Sequence, residues 1–323
     1  MSARPTQSVA NPILFFGMPR SGTTWIGKIF DSHTDTLYRH EPDSWSRLGA
    51  VPLLPRQEDA ERYADDFGKY LATIVSMNAA KVSAKTPLFA KSYQSGLQFQ
   101  VQKAGVLMAK VAGRVASGFP VFAVPTKLSG NTRLVWKSIE SLGRLGVLME
   151  LMPGARAIHI IRHPCGYVSS VLRGEQRSRF EDNSGAGDDY GIFHLLLDTR
   201  FARQQSLDLE YLAGLDTVER LAWRWLLFNE KALDDCVGND RVMRVLYDDL
   251  CRDPLGVARK MFDFCGLDWS PQTQAFLGAS TSRNDGAYYS VFKDPAAAAV
   301  RWQSELDAGQ QEIVLRSAAL GRC

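Results

Sequence analysis

The chain has 323 residues, 45% hydrophobic and 23% charged, which places it in the ordinary globular range with enough apolar mass to bury a sizeable core. With 38 Lys and Arg against 35 Asp and Glu, its net charge is only +3, so composition calls for neither nucleic acid nor an anionic membrane, and any anion site must be local. Five scattered cysteines (Cys165, Cys236, Cys251, Cys265, Cys323) follow no CxxC or metal-ligand spacing and read as reduced thiols without a metal. The polar start MSARPTQSVANP has no apolar signal core, and no run approaches the ~18 apolar residues of a membrane span. The expectation is a cytoplasmic chain. No linker or charge run divides it, so residues 1–323 read as one domain.

The first element is the apolar run Ile13-Leu14-Phe15-Phe16-Gly17, a buried parallel strand entering a turn. The loop Met18-Pro19-Arg20-Ser21-Gly22 follows, then a helix from about Thr23 to Phe30. A second strand–helix unit starts at Arg133-Leu134-Val135-Trp136-Lys137, continues through an amphipathic stretch Leu142 to Met152 and stops at Pro153-Gly154. A third pairs the strand Arg156 to Arg162 with a helix that Pro164 can open and that runs through Leu172. Between Arg173 and Leu221 the pattern weakens, which reads as an insertion over the site. A helix over Trp223 to Cys236, a strand over Arg241 to Leu246 and a helix from Leu255 to Cys265, ending at Gly266, complete the series. Strand followed by helix, repeated, predicts an α/β fold with a parallel sheet flanked by helices, P-loop-like, with an inserted helical lid.

A strand feeding a glycine-containing loop and a helix N-terminus makes an anion site, because unpaired backbone N–H groups and the helix dipole face the ligand. The spacing Gly17-x-x-x-x-Gly22-Thr23-Thr24 imitates a nucleotide-triphosphatase loop, but Thr23 stands where the lysine should follow the second glycine. Arg20 can supply the cation instead, and the hydroxyls of Ser21, Thr23 and Thr24 can donate to anionic oxygens.

The run Pro19-Arg20-Ser21-Gly22-Thr23-Thr24-Trp25 resembles, without a gap, the 5′-phosphosulfate loop of the sulfotransferases that use 3′-phosphoadenosine 5′-phosphosulfate (PAPS). By that resemblance, Trp25 lies beside the adenine. The family's second motif, an Arg at a strand end and a Ser eight residues on, corresponds to Arg162 and Ser170, which the resemblance assigns to the 3′-phosphate. Trp225 to Asn229, Leu246 to Leu250 and Asp253-Pro254 resemble later scaffold segments, while Lys293, Arg301-Trp302 and Glu305-Leu306 resemble the segment that closes over the cofactor. The domain then divides into a cofactor-binding core (12–172), a lid insertion (173–220), and the rest of the core with the closing segment (221–323).

Sulfuryl transfer needs a base at the acceptor hydroxyl and positive charge where the nucleotide oxygen leaves. Glu41, in Tyr38-Arg39-His40-Glu41-Pro42, matches the base of the family's carboxylate-using branch, which includes tyrosylprotein and bacterial enzymes. His-using members carry their base two residues after the active-site Lys, where this chain has Ile139. His40 is the alternative base. Lys137, at a strand end upstream of Arg162, matches the active-site Lys, with Lys85 as rival and Arg20 assisting. His159, inside a strand, reads as core. The expected reaction is transfer from PAPS, leaving 3′-phosphoadenosine 5′-phosphate (PAP), to a hydroxyl of a small molecule, sugar, lipid or peptide, without metal. A nucleotide-dependent kinase would need the loop Lys and Mg²⁺ ligands, which the sequence does not offer. A non-catalytic nucleotide-binding module would not need Glu41 and Lys137 together.

Overall fold

The computed structural model describes residues 11–111, 131–176, 185–282, 291 and 294–323. Five strands form one parallel sheet in the order β2-β3-β1-β4-β5: β1 is Ile13–Gly17, β2 Thr36–His40, β3 Arg133–Ser138, β4 Arg156–Ile161 and β5 Val242–Leu246. The central strand β1 is buried throughout, as its unbroken apolar run requires when helices cover both faces. Its side chains alternate between two cores. Leu14 and Phe16 join Trp136, Leu148, Val168 and Trp225 on one face, while Ile13 and Phe15 join Ile26, Val135, Ile158 and Phe262 on the other.

Helix α1 (Thr23–Asp31) follows β1 and packs into the second core; α2 (Leu145–Leu151) and α3 (Pro164–Gln176) belong to the first. The connections leaving β1 and β4 therefore go to opposite faces. That arrangement opens a crevice at the carboxyl edge between them, the usual place for a ligand in an open α/β sheet. The helix expected from Leu142 begins as a 3₁₀ turn, Leu142–Arg144, before continuing as α2.

Helix α4 (Thr217–Asp235) begins six residues before the expected Trp223, because the Asp216 side chain accepts the Glu219 N–H at 2.9 Å and caps it there. Downstream of β5 come α5 (Tyr247–Arg252) and α6 (Pro254–Cys265), the latter opened by the Asp253 cap and closed by Gly266 at φ 65°. Among the described residues between α3 and α4 are three short α-helices, Tyr190–Leu197, Arg200–Gln204 and Leu209–Gly214, each opened by a side-chain cap from Asp189, Thr199 or Asp208. Phe193, Leu196, Ala202 and Leu212 bury their apolar faces in the first core. Among the described residues no helix is long and apolar enough to cross a membrane.

Candidate functional site

The loop from β1 to α1 turns on two residues in the left-handed region, Arg20 at φ 72° and Gly22 at φ 81°. Gly22 is required twice over. It holds this conformation at low cost, and a Cβ there would lie 2.2 Å from Cε2 of Tyr247, whose ring packs against the loop. Gly17 is held as closely, since its Cβ would lie 2.8 Å from the Ile160 carbonyl oxygen on β4. The turn leads into the N-terminus of α1, whose first N–H groups have no partners earlier in the helix and whose residues Thr23 and Thr24 line the crevice.

Above this loop lies a cavity of about 460 Å³, lined by Arg20, Gly22, Thr23, Thr24 and Trp25 from the loop and α1. His40 and Glu41 from the end of β2, Lys137 from β3, and Arg162 and Ser170 from β4 and α3 complete the ring of strand ends. Every strand except β5 delivers a polar side chain or loop to it, and Tyr247 follows β5 directly. Of the residues expected from the sequence, Ser21 is the exception among those described: it is buried, does not line the cavity, and its Oγ has no hydrogen-bond partner. Lys293 lies outside the described residues. In the segment 173–220, Arg173 alone of the described residues reaches the cavity.

The anion-binding side chains hold one another. Arg162 Nη1 donates to the Arg20 carbonyl at 2.7 Å, its Nη2 donates to the Ala298 carbonyl at 3.2 Å, and its guanidinium lies 5.1 Å from the centre of the Tyr247 ring. Trp225 Nε1 in turn donates to the Arg162 carbonyl at 3.0 Å, fixing the strand end. Arg162 Nε is buried without a hydrogen-bond partner among the described residues and packs against Gly166 on α3, where a Cβ would lie 2.9 Å from it. Arg20 Nε reaches Ser170 Oγ at 3.1 Å, joining the loop to the Arg162–Ser170 pair. Trp25 Nε1 donates to Ser280 Oγ at 3.0 Å, fixing the indole plane in the cavity wall.

Among the residues that line the cavity without a site role expected from the sequence are three polar ones, Arg173, Arg301 and Tyr247. Arg173 donates to Ser170 Oγ at 3.3 Å and pairs with Glu305; its position three residues after Ser170 on one helix was a readable signal. Arg301 comes from the closing segment, in which the sequence reading places Lys293, not Arg301, at the cofactor. Tyr247, read there as scaffold, gives no sequence sign of its role, because only the return of β5 beside β4 brings it over Gly22.

The second half of the cavity holds the charged pair. Glu41 sits at φ 47°, an uncommon conformation for a residue with a side chain, and its N–H donates to the Lys137 carbonyl at 2.8 Å. Its carboxylate forms an ion pair with Lys137 Nζ. Burial lowers the pKa of Lys137, with Glu41 opposing the shift. His40 Nδ1 lies 2.9 Å from the Tyr38 hydroxyl, and its Nε2 lies 3.8 Å from Glu41 Oε1. Burial first, then the cations Lys137, Lys85 and Lys28, push His40 well below the usual imidazole range, so the ring is neutral. Lys85 also lines the cavity, its carbonyl held by Lys28 Nζ at 2.8 Å. His159 is a core residue, hydrogen-bonded to Asn229 at 2.9 Å.

A parallel sheet whose crevice gathers a helix N-terminal loop, several arginines and a carboxylate–lysine pair forms a site suited to an anionic ligand. The chain belongs to the sulfotransferase family, whose model matches residues 12–271, and it is a sulfotransferase. It is similar to carbohydrate sulfotransferase 5 of Mus musculus, with 23% identity over 320 residues that cover 91% of this chain and 75% of that protein. Among solved structures it is similar to the sulfotransferase domain from the Synechococcus PCC 7002 olefin synthase, at 20% identity, 98% of both chains and a TM-score of 0.45. A second is the mouse sulfotransferase SULT7A1 complexed with PAP, at 10% identity, 95% of this chain, 82% of that one and a TM-score of 0.41.

Proposed function

We propose that the enzyme takes the sulfuryl group from PAPS and transfers it to an acceptor hydroxyl, with Glu41 as general base. The observation that carries this reading is the Glu41–Lys137 pair in the cavity that also holds the loop, Arg162 and Ser170. A nucleotide phosphorylated on both sides of its ribose needs two neighbouring sets of anion donors. Arg20 with the N–H groups of α1 suits the 5′ side, and Arg162 with Ser170 suits the 3′ side, while Trp25 offers its face to the base. The Arg20–Ser170 contact, which joins the two sets, supports this fit.

The donor supplies an activated sulfuryl group; the chain's residues handle proton and charge. Glu41 accepts the proton of the acceptor hydroxyl as the new oxygen–sulfur bond forms. Lys137 and Arg20 face the negative charge that collects on the nucleotide oxygen as the old bond breaks. His40 is poorly suited to the base role, since its lowered pKa makes it a weak proton acceptor and Tyr38 engages Nδ1. The walls formed by His40, Glu41, Lys85 and Ile139 face the acceptor.

Two measurements test the reading. PAP should raise the melting temperature more than ATP does at equal concentration, by mass action on the folded state; a preference for ATP would overturn the donor assignment. Glu41→Gln should keep PAP binding while turnover falls by roughly 10²–10⁴-fold. Unchanged turnover would remove Glu41 from the base role.

A further inference from the structure

Asp43 is only 1% exposed and does not line the cavity, yet it stands two residues after Glu41. One carboxylate oxygen, Oδ2, accepts hydrogen bonds from Ser138 Oγ and from Ser141 Oγ, the latter at 2.5 Å; the other, Oδ1, lies 3.5 Å from Trp136 Nε1. All three partners come from β3 or the turn that leaves it. Ser138 directly follows Lys137, and its hydroxyl also accepts the backbone N–H groups of Glu140 and Ser141 at 3.0 and 2.9 Å. Ser141 Oγ accepts from Arg144 Nη1 at 3.2 Å, and Arg144 Nε donates to the carbonyls of Val51 and Pro52 at 3.0 and 2.9 Å. A buried carboxylate is expensive unless its oxygens are satisfied, and here they are satisfied by one particular strand end.

Residues 41–43 have no long helix or strand of their own to fix them. Glu41 is in the left-handed region, and Pro42 and Asp43 begin a helix of a single turn, Pro42–Trp45. The ladder bond from Glu41 N–H to the Lys137 carbonyl sets the height of the turn against β3, and the Asp43 contacts set its rotation. We propose that Asp43 is a positioning residue for sulfuryl transfer: by binding Ser138 and Ser141 it locks the turn that presents Glu41 against the strand end that presents Lys137.

Its charge acts on the same pair. The groups that face Lys137 are Glu41 and Asp43, which favour its protonated form, and Lys85, which with burial disfavours it; neutral His40 lies beside Glu41. Removing the Asp43 charge therefore makes Lys137 easier to deprotonate, an effect that a purely structural loss would not produce.

This inference rests on the assignment of Glu41 and Lys137, and the test separates the two. Asp43→Asn, Ser141→Ala and Glu41→Gln are compared for PAP affinity, kcat, KM and the pH dependence of kcat. In Asp43→Asn, PAP affinity should stay within about twofold, while kcat falls roughly ten- to a hundredfold, as a misplacement of about 1 Å can cause. The alkaline limb of its pH profile should move to lower pH. Ser141→Ala removes one hydroxyl donor and keeps the charge, so kcat should fall by a smaller factor with no displacement of the alkaline limb. If Asp43→Asn turns over and titrates like the parent while Glu41→Gln is inactive, Asp43 has no positioning role and the base assignment stands. If Glu41→Gln is fully active, the base assignment fails whatever Asp43 does. Should Asp43→Asn fail to fold, Ser141→Ala decides alone: a parental kcat in that variant overturns the proposal, and a reduced kcat with retained PAP affinity supports it.

Discussion

Replacing Arg162 with Ala tests how the site distinguishes its nucleotide. Arg162 does two things at once: it offers charged donors to the cavity, and it ties the Arg20 and Ala298 carbonyls together at 2.7 and 3.2 Å. The substitution will therefore loosen the loop and the closing segment as well as remove a phosphate contact, so a loss of PAP affinity alone is ambiguous. The ratio of dissociation constants for 5′-AMP and PAP resolves this, because the two ligands differ only in the 3′-phosphate and share the scaffold damage. A hydrogen bond to a charged group contributes about 1.5–3 kcal/mol, which corresponds to roughly 10- to 150-fold in that ratio. Calorimetric titration of both ligands into parent and variant measures it. The preference for PAP should collapse by that factor in Arg162→Ala and by less in Ser170→Ala, whose hydroxyl is shared with Arg20 and Arg173. A ratio that survives, with both ligands weakened equally, would leave Arg162 as scaffold and refute the 3′-phosphate assignment.

Two further outcomes follow from the same geometry. Gly22→Ala places a Cβ 2.2 Å from the Tyr247 ring at φ 81°, so it should lower stability by at least ~1–2 kcal/mol and abolish stabilisation by PAP; adding Tyr247→Ala should recover part of the stability, since it relieves the clash but not the backbone strain. His159 is fully buried with its pKa lowered to about 4, first by desolvation. It stays neutral in the fold, while the unfolded chain takes up a proton below about pH 6.5, so stability is lost as pH falls from there towards 4. The contribution approaches roughly 3 kcal/mol at the acid end. Denaturant melts at pH 7 and 4.5 should show a shallower acid loss in His159→Gln, and an identical slope would contradict the burial argument.

Much of the site could be read locally. The loop Pro19 to Trp25 carries its own chemistry because a phosphate cradle is built from consecutive residues, and Arg162 and Ser170 lie on one strand–helix corner. The strands were legible for a related reason: a parallel strand buried on both faces must be apolar throughout, and β1 and β4 advertise themselves by composition. Helix starts set by a single side-chain cap were harder to find, as the early beginning of α4 at Thr217 shows.

By itself, then, the sequence determined the strand–loop–helix units, the donor side chains within each, and the residues Glu41 and Lys137 as candidates for the chemistry. Only the tertiary structure decided which of these meet. The sheet order carries β3 between β2 and β1, and so brings Lys137 to Glu41 across 96 residues of chain. It likewise seats Tyr247 over Gly22 and buries Asp43 against Ser138 and Ser141. Such contacts are fixed by strand pairing and packing between segments far apart in the chain, and a buried carboxylate or a packed tyrosine looks the same in sequence as an exposed one.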